Sequence, residues 1–474
     1  MTALHADPNE IRSLFSRAMS EMYRAEVPQY GTLMELVSDV NRDILQRHSD
    51  LCATLARNHE LDRLNVERHG AIRLGRPEEL FNIRRVFSVM GMHPVGYYDL
   101  SVAGVPVHST AFRPIADAAL RRNPFRVFTS LLRVELIEDE ALRRQAEQIL
   151  AERRIFTPRA LELVNIFEAD GRLTRPQAEE FVCEALQTFR WHSEATVSLD
   201  VYRKLHDAHR LIADVVSFKG PHINHLTPRT LDIDAVQAGM PRRGIVPKAV
   251  IEGPPRRNCA ILLRQTSFKA LEEPIIFWQT DGKSAQGMHT ARFGEIEQRG
   301  VALTPKGREL YDALLASVRQ ARAAGSTTGD YDAGLAGTFT AFPDDWAALR
   351  SQGLAFFRYS ATPTGVEAGK QRALPSTLDD LVAEGLLRYD PIVYEDFLPV
   401  SAAGIFQSNL GSDAQQSYAA RSNRAAFEAA LGAEVHDEMT LYAKTEKDSV
   451  EQAMNQLGFA ACHTQGNRLI GAAA

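Results

Sequence analysis

The chain opens with an apolar stripe at helical spacing. Ile11, Leu14, Phe15, Ala18 and Met22 recur every three or four residues behind Asp7-Pro8-Asn9-Glu10. That tetrapeptide supplies an N-cap, a proline for the first turn and an acid three residues after the cap. Pro28 closes the helix, and Leu33, Leu36, Val37, Val40 and Ile44 mark the buried face of a second one. Residues 1–62 thus read as a helical lead-in. The tract RHGAIRLG (68–75) reads as a strand or strand-turn. A helix then opens at Arg76-Pro77-Glu78-Glu79, carries Leu80, Ile83, Phe87 and Met90, and ends at Gly91. A hairpin is predicted over VGYYDLSVAGVPVHSTAF, with Ala103-Gly104 near its turn. Residues 115–216 read as mainly helical, from FRVFTSLLRVELI to VYRKLHDAHRLIADVV.

The pattern changes after Gly220. Pro and Gly become frequent, and β-type runs appear at AVIEG, AILLRQTSF and EPIIFW. Residues 320–345 are rich in Gly, Ala, Thr and Asp, which predicts a linker. Beyond it, YDPIVYEDFLPV is strand-like and the remainder helical. Strands separated by long helical blocks, without regular alternation, argue for an α+β fold.

Composition narrows the function classes. The 474 residues are 45% hydrophobic and 24% charged, the balance of a globular chain. Net charge is −6, from 54 basic and 60 acidic residues, so no basic excess points to nucleic acid. No run approaches the 18 apolar residues of a membrane span, and residues 1–8 lack the pattern of a signal peptide. Cys52, Cys183, Cys259 and Cys462 are far apart. Neither a disulfide framework nor a thiolate zinc site is expected, and the cytoplasm is the expected compartment.

Three tracts carry chemistry. In the first, an extended backbone puts His69, Ala71 and Arg73 on one face, and a helical one makes His69 and Arg73 direct neighbours; either way a potential metal ligand shares a face with an anion-binding fork. The second, Lys219-Gly220-Pro221-His222-Ile223-Asn224-His225, holds two histidines between Gly-Pro and Thr-Pro turns. The third runs from His289 to Gly300. As one strand it would put His289, Phe293, Glu295 and Glu297 on the same face, where two inward carboxylates require a cation or a paired partner. Periodicity does not choose between Glu295 and Glu297. By contrast, His206 and His209, three apart beside Lys204, Asp207 and Arg210, read as a solvated helix face. Two imidazoles and a carboxylate from separate segments form the facial-triad donor set, which leaves open positions on Fe(II). Zinc in a hydrolase can use the same donors, and that is the main alternative. A cupin-type oxygenase would carry His-x-His on one strand, which this sequence lacks.

At these residues the sequence resembles a family. RHGAIR (68–73), FKGPHINHLTPRTLDIDA (218–235), RQTSFKAL (264–271), HTARFGEIEQRG (289–300) and YEDFLPVSAAGIFQSNLG (394–411) closely resemble bacterial 2-oxoadipate dioxygenase/decarboxylases. The resemblance implies a curved central β-sheet like the partial barrel of vicinal-oxygen-chelate enzymes, akin to hydroxymandelate synthase, with added helices. It implies Fe(II) held by His69, His225 and Glu295, with Arg73, Val400 and Ser401 against the substrate. The implied reaction takes 2-oxoadipate and O2 to 2-hydroxyglutarate and CO2, a step of lysine catabolism. The distal carboxylate of the substrate needs a buried cation; Arg73 is the first candidate, with Arg264 and Lys269 in reserve. His222 and Glu297 are expected to support the ligands. Residues 1–474 are then one catalytic unit. It has the lead-in at 1–62, a metal-binding core at 63–320 with its helical block at 115–216, and a C-terminal part at 346–474 that completes the pocket.

Overall fold

The protein is described here by a computed structural model, which covers residues 5–279, 282–323, 331–398 and 420–459. Val400 and Ser401 lie outside the described residues. The chain forms two compact units: one of residues 1–253, 263–299 and 396–437, the other of 254–262, 300–395 and 438–474.

The first unit is built on a mixed sheet. Its five strands lie in the order His93–Asp99, Val107–Arg113, Arg126–Leu132, Arg68–Leu74, Leu226–Pro228. Arg68–Leu74 and Arg126–Leu132 run parallel; the other neighbours are antiparallel. Past Pro228 the backbone bridges from Arg229 to Glu297. That bridge continues the pairing into the antiparallel strands Glu295–Arg299 and Leu263–Ser267. A further hairpin pairs Glu272–Trp278 with Ser284–Thr290.

Most local expectations hold. Asp7 caps Pro8–Glu26 by accepting from Asn9 and Glu10 N–H at 2.8 and 3.1 Å. The helix Pro77–Val89 ends before Gly91, which takes the left-handed φ of 64°. The hairpin of strands 93–99 and 107–113 turns at Gly104, also left-handed at 77°. Phe15 of the first helix packs edge-on against Phe125 and Phe189, at 6.0 and 5.4 Å between ring centroids. Each such fully buried ring stabilises the unit by roughly 1.5–3 kcal/mol.

Three expectations need correction. The start of the supposed helical block, FRVFTSLLRVELI, contains the central strand Arg126–Leu132, buried at every position. A strand covered on both faces loses its alternation and reads as a continuous apolar run. The run VYRKLHDAHRLIADVV is two helices, Leu199–Ala208 and Arg210–Val216. His209 breaks them with extended backbone (φ −171°, ψ 133°) and caps the second by accepting from Leu211 N–H at 3.1 Å. The predicted linker contains the helix Tyr331–Thr338, where the buried Leu335 supplies packing that overrides the low helix propensity of two glycines; residues 324–330 lie outside the described residues.

In the second unit, Phe357–Ala361 pairs antiparallel with Leu387–Pro391. The helix Glu438–Gln456 lies against that hairpin. Its Glu446 and Ser449 side chains accept from Phe357 and Tyr359 N–H, at 2.7 and 3.0 Å. Among the described residues, no helix is long and apolar enough to cross a membrane.

Candidate metal centre

His69 sits near the start of the strand Arg68–Leu74, in register with Arg126 on one side and Thr227 on the other. His225 precedes the short strand Leu226–Pro228, and Glu295 opens Glu295–Arg299. Lateral pairing therefore brings together three residues far apart in sequence. Their donor atoms lie within 4.8 Å of one another. His69 Nε2 is 3.0 Å and His225 Nε2 3.9 Å from Glu295 Oε1. All three side chains are at most 1% exposed.

Close packing fixes these positions. A Cβ on Gly70 would meet Ile223 Cδ1 at 2.6 Å and the His225 carbonyl at 3.1 Å, so the His225 loop seats only against a bare backbone. Asn224 N–H donates to the Ala71 carbonyl at 3.0 Å. Tyr23, from the lead-in helix, donates to the Asn224 and Phe293 carbonyls at 3.0 and 2.8 Å. One phenol thus ties down the loops before both His225 and Glu295. Phe397 packs edge-on over the His69 ring at 4.9 Å.

The donor set fits a divalent metal. Neither nitrogen of His225 has a hydrogen-bond partner among the described residues, nor has Glu295 Oε2. Orphaned buried polar atoms are costly, and one donor atom from each of His69, His225 and Glu295 converges on a point that suits a cation. Glu295 Oε1 is steadied by Gln265 Nε2 at 2.8 Å and Thr227 Oγ1 at 3.1 Å. Burial pushes the His225 imidazole down to about 4, so it is neutral at physiological pH. Burial would raise Glu295, but His225 and His69 outweigh it and hold the carboxyl below its ordinary value. A neutral imidazole and an ionised carboxylate are the states that bind a metal.

Glu297 completes the arrangement. Its Oε2 meets His69 Nδ1 at 2.9 Å, off the ideal hydrogen-bond line. Its two oxygens also take the Arg299 fork at 2.8 Å each. Direction separates the two glutamates that periodicity leaves alike: Glu295 Oε1 lies near both histidines, while Glu297 sits behind His69. Burial alone would lower His69, but Glu297 and Glu295 prevail and raise it. Two carboxylates on one imidazole demand positive charge there, carried by a proton or by a metal. Behind Glu297 lies Glu67, fully buried among Arg126 at 2.9 Å, Arg63 at 3.1 Å, Arg229 at 3.2 Å and Arg299 at 3.6 Å. The sequence reading missed this hub, although Glu67 adjoining a buried tract was its available signal.

His289 does not join the triad. Residues 291–294 separate the strands Ser284–Thr290 and Glu295–Arg299, so the single-strand reading of the third tract fails. His289 belongs with His222 and Asp214 in a second buried cluster. Arg73 also reaches it, with Nη1 2.6 Å from Asp214 Oδ2. His222 therefore contacts Asp214, at 3.2 Å, and not the triad. Of the reserve cations, Arg264 is held by Asp234 at 2.7 and 3.0 Å, and Lys269 is exposed.

The family model for 2-oxoadipate dioxygenase/decarboxylase matches residues 15–409. A Pseudomonas putida protein of that name is 59% identical over 454 residues, covering 94% of this chain and 97% of its own. An Escherichia coli protein of the same name is 59% identical over 444 residues, covering 93% and 97%. The fold is similar to that of a P. putida hydroxyglutarate synthase solved in complex with 2-oxoadipate. The TM-score is 0.88 at 56% identity, covering 96% of this chain and 99% of that one. Likeness over nearly the whole of both chains leaves one conclusion: this chain belongs to the 2-oxoadipate dioxygenase/decarboxylase family.

Proposed function

We propose that the chain converts 2-oxoadipate and O2 to 2-hydroxyglutarate and CO2, using one Fe(II) held by His69, His225 and Glu295. The atoms balance: a C6 oxo diacid and O2 give a C5 hydroxy diacid and CO2. The observation that carries the reading is the set of bare, buried donor atoms on His225 and Glu295, in a family whose P. putida relative was solved with 2-oxoadipate. Fe(II) on such a triad supplies O2 activation and open positions for an oxo acid.

The protein's own residues position the substrate and exclude water. Arg73 shares a strand face with His69, four residues along; on a strand that separates them by roughly 13 Å, within reach of a long side chain. It offers a planar fork for the distal carboxylate. Phe397 and the buried sheet floor keep water from the His69 side. Glu297 orients His69, the usual task of a carboxylate behind a metal-bound imidazole. Val400 and Ser401 complete the substrate contacts in this reading. The extension of the sheet through Arg229 and Glu297 supports a partial barrel of the vicinal-oxygen-chelate kind, and the unpaired thiols of Cys52, Cys183 and Cys259 suit the cytoplasm.

The test is anaerobic reconstitution with Fe(II), followed by 2-oxoadipate in aerated buffer. Matched O2 uptake, CO2 release and 2-hydroxyglutarate formation, absent with Zn(II), support the reading. Turnover with Zn(II) and no O2 would put the hydrolase in its place.

A further inference from the structure

Asp214 lies in the helix Arg210–Val216, where residues 211–216 are all buried. A lone carboxylate in an apolar run has to be neutralised. Its Oδ2 meets Arg73 Nη1 at 2.6 Å, and its Oδ1 meets His289 Nε2 at 2.9 Å. His222 Nε2 lies 3.2 Å from the same Oδ1. On the far side, His289 Nδ1 is 2.9 Å from the Tyr202 hydroxyl. Against the pull of burial, His222, Arg73 and His289 hold Asp214 ionised. An ionised Asp214 accepts from His289 Nε2–H, which leaves Nδ1 to accept from the Tyr202 hydroxyl. Every proton in the chain Tyr202–His289–Asp214–Arg73 then has one direction.

We propose that Asp214 is a positioning residue that presents the Arg73 guanidinium to the distal carboxylate of the substrate, with His289 and Tyr202 holding Asp214 in turn. The proposal rests on the reading of Arg73 given above. An arginine fixed before the ligand arrives loses less side-chain freedom on binding. The same cluster has the donors of a second cation site, but Arg73 already occupies the cation's place. A divalent ion on Asp214 would face a guanidinium across a single carboxylate.

The experiment compares full-length wild type, Asp214→Asn and Arg73→Ala, each loaded with Fe(II) under argon. Calorimetric titration measures the affinity for 2-oxoadipate and for 2-oxohexanoate, which has the same carbon count but no distal carboxylate. Asp214→Asn is expected to weaken 2-oxoadipate on the order of tenfold, to leave 2-oxohexanoate unchanged, and to keep one Fe(II) per chain. Asp214→Glu should recover part of the loss. Equal weakening of both acids would mean a merely structural role and overturn the proposal. Unchanged 2-oxoadipate affinity in Asp214→Asn, with Arg73→Ala weakened, would overturn it and spare the Arg73 reading. Unchanged affinity in Arg73→Ala would remove both. A second metal equivalent in wild type that disappears in Asp214→Asn would make the cluster a cation site instead. Should Asp214→Asn fail to fold, Tyr202→Phe takes its place: a smaller, diacid-selective weakening supports the proposal, and no change sinks it.

Discussion

Two glutamates two residues apart on one strand face have opposite tasks, and their neighbours decide which is which. Glu295 keeps Oε2 without a partner, while its Oε1 lies 3.0 Å from His69 and 3.9 Å from His225. Glu297 spends both oxygens on Arg299 and touches His69 from behind. Substitution should separate them. If the proposed triad holds the iron, Glu295→Ala is expected to abolish stoichiometric iron, because it removes one of the three donors. Glu297→Gln should retain the metal with affinity lowered roughly 10–100-fold, the usual effect of losing a group behind a ligand. Iron content after dialysis against a graded chelator reads both. The reverse order, with iron kept in Glu295→Ala and lost in Glu297→Gln, would move the ligand to Glu297.

At the scale of elements, the site depends on how tightly two loops are clamped to one strand. Gly70→Ala places a methyl 2.6 Å from Ile223 Cδ1 and 3.1 Å from the His225 carbonyl. Overpacking of this kind costs about 1–3 kcal/mol, and here the strain falls on the loop that carries His225, a proposed ligand. Tyr23→Phe strips a donor from two buried carbonyls, with a destabilisation of about 1–3 kcal/mol. Both variants should lower the urea midpoint and weaken iron binding together. A loss of stability with wild-type iron affinity would show that the clamp is irrelevant to the site. These elements also show what the sequence could convey. Capped helices were legible because Asp7-Pro8 and Pro77 with Gly91 are local signals. The strand Arg68–Leu74 was legible only as a strand or strand-turn. Arg126–Leu132 was not, since burial on both faces erases the alternation. Nor was the separation of His289 from Glu295, which depends on a break at residues 291–294 and on partners in distant segments. The trio His69, His225 and Glu295 was nameable through the motif resemblance, and the fold groups it, whereas the Asp214 cluster joins segments that no local pattern connects.

At the scale of the molecule, the metal centre rests on charge gathered from across the first unit. Glu60, Glu67 and Glu297 meet Arg63, Arg126, Arg229 and Arg299, and Glu67 is touched by all four arginines. Burial would raise Glu67, yet those four guanidiniums hold it well below its ordinary 4.5. Arg299 and His69 likewise overcome burial to bring Glu297 down to about 2. Both folded-state values are depressed. Their stabilisation is therefore complete above about pH 4.5, the unfolded value, and is lost as pH falls from there toward the folded values. Glu67→Gln cannot titrate and leaves four buried guanidiniums short of an anion, a change worth about 3–5 kcal/mol at neutral pH. Urea unfolding of wild type and Glu67→Gln at pH 7, 5, 4 and 3 should thus show a wide gap that narrows steadily below pH 4.5. A gap independent of pH would mean that Glu67 acts through shape and not through charge. The hub's role in holding Glu297, and through it His69, would then have to be abandoned.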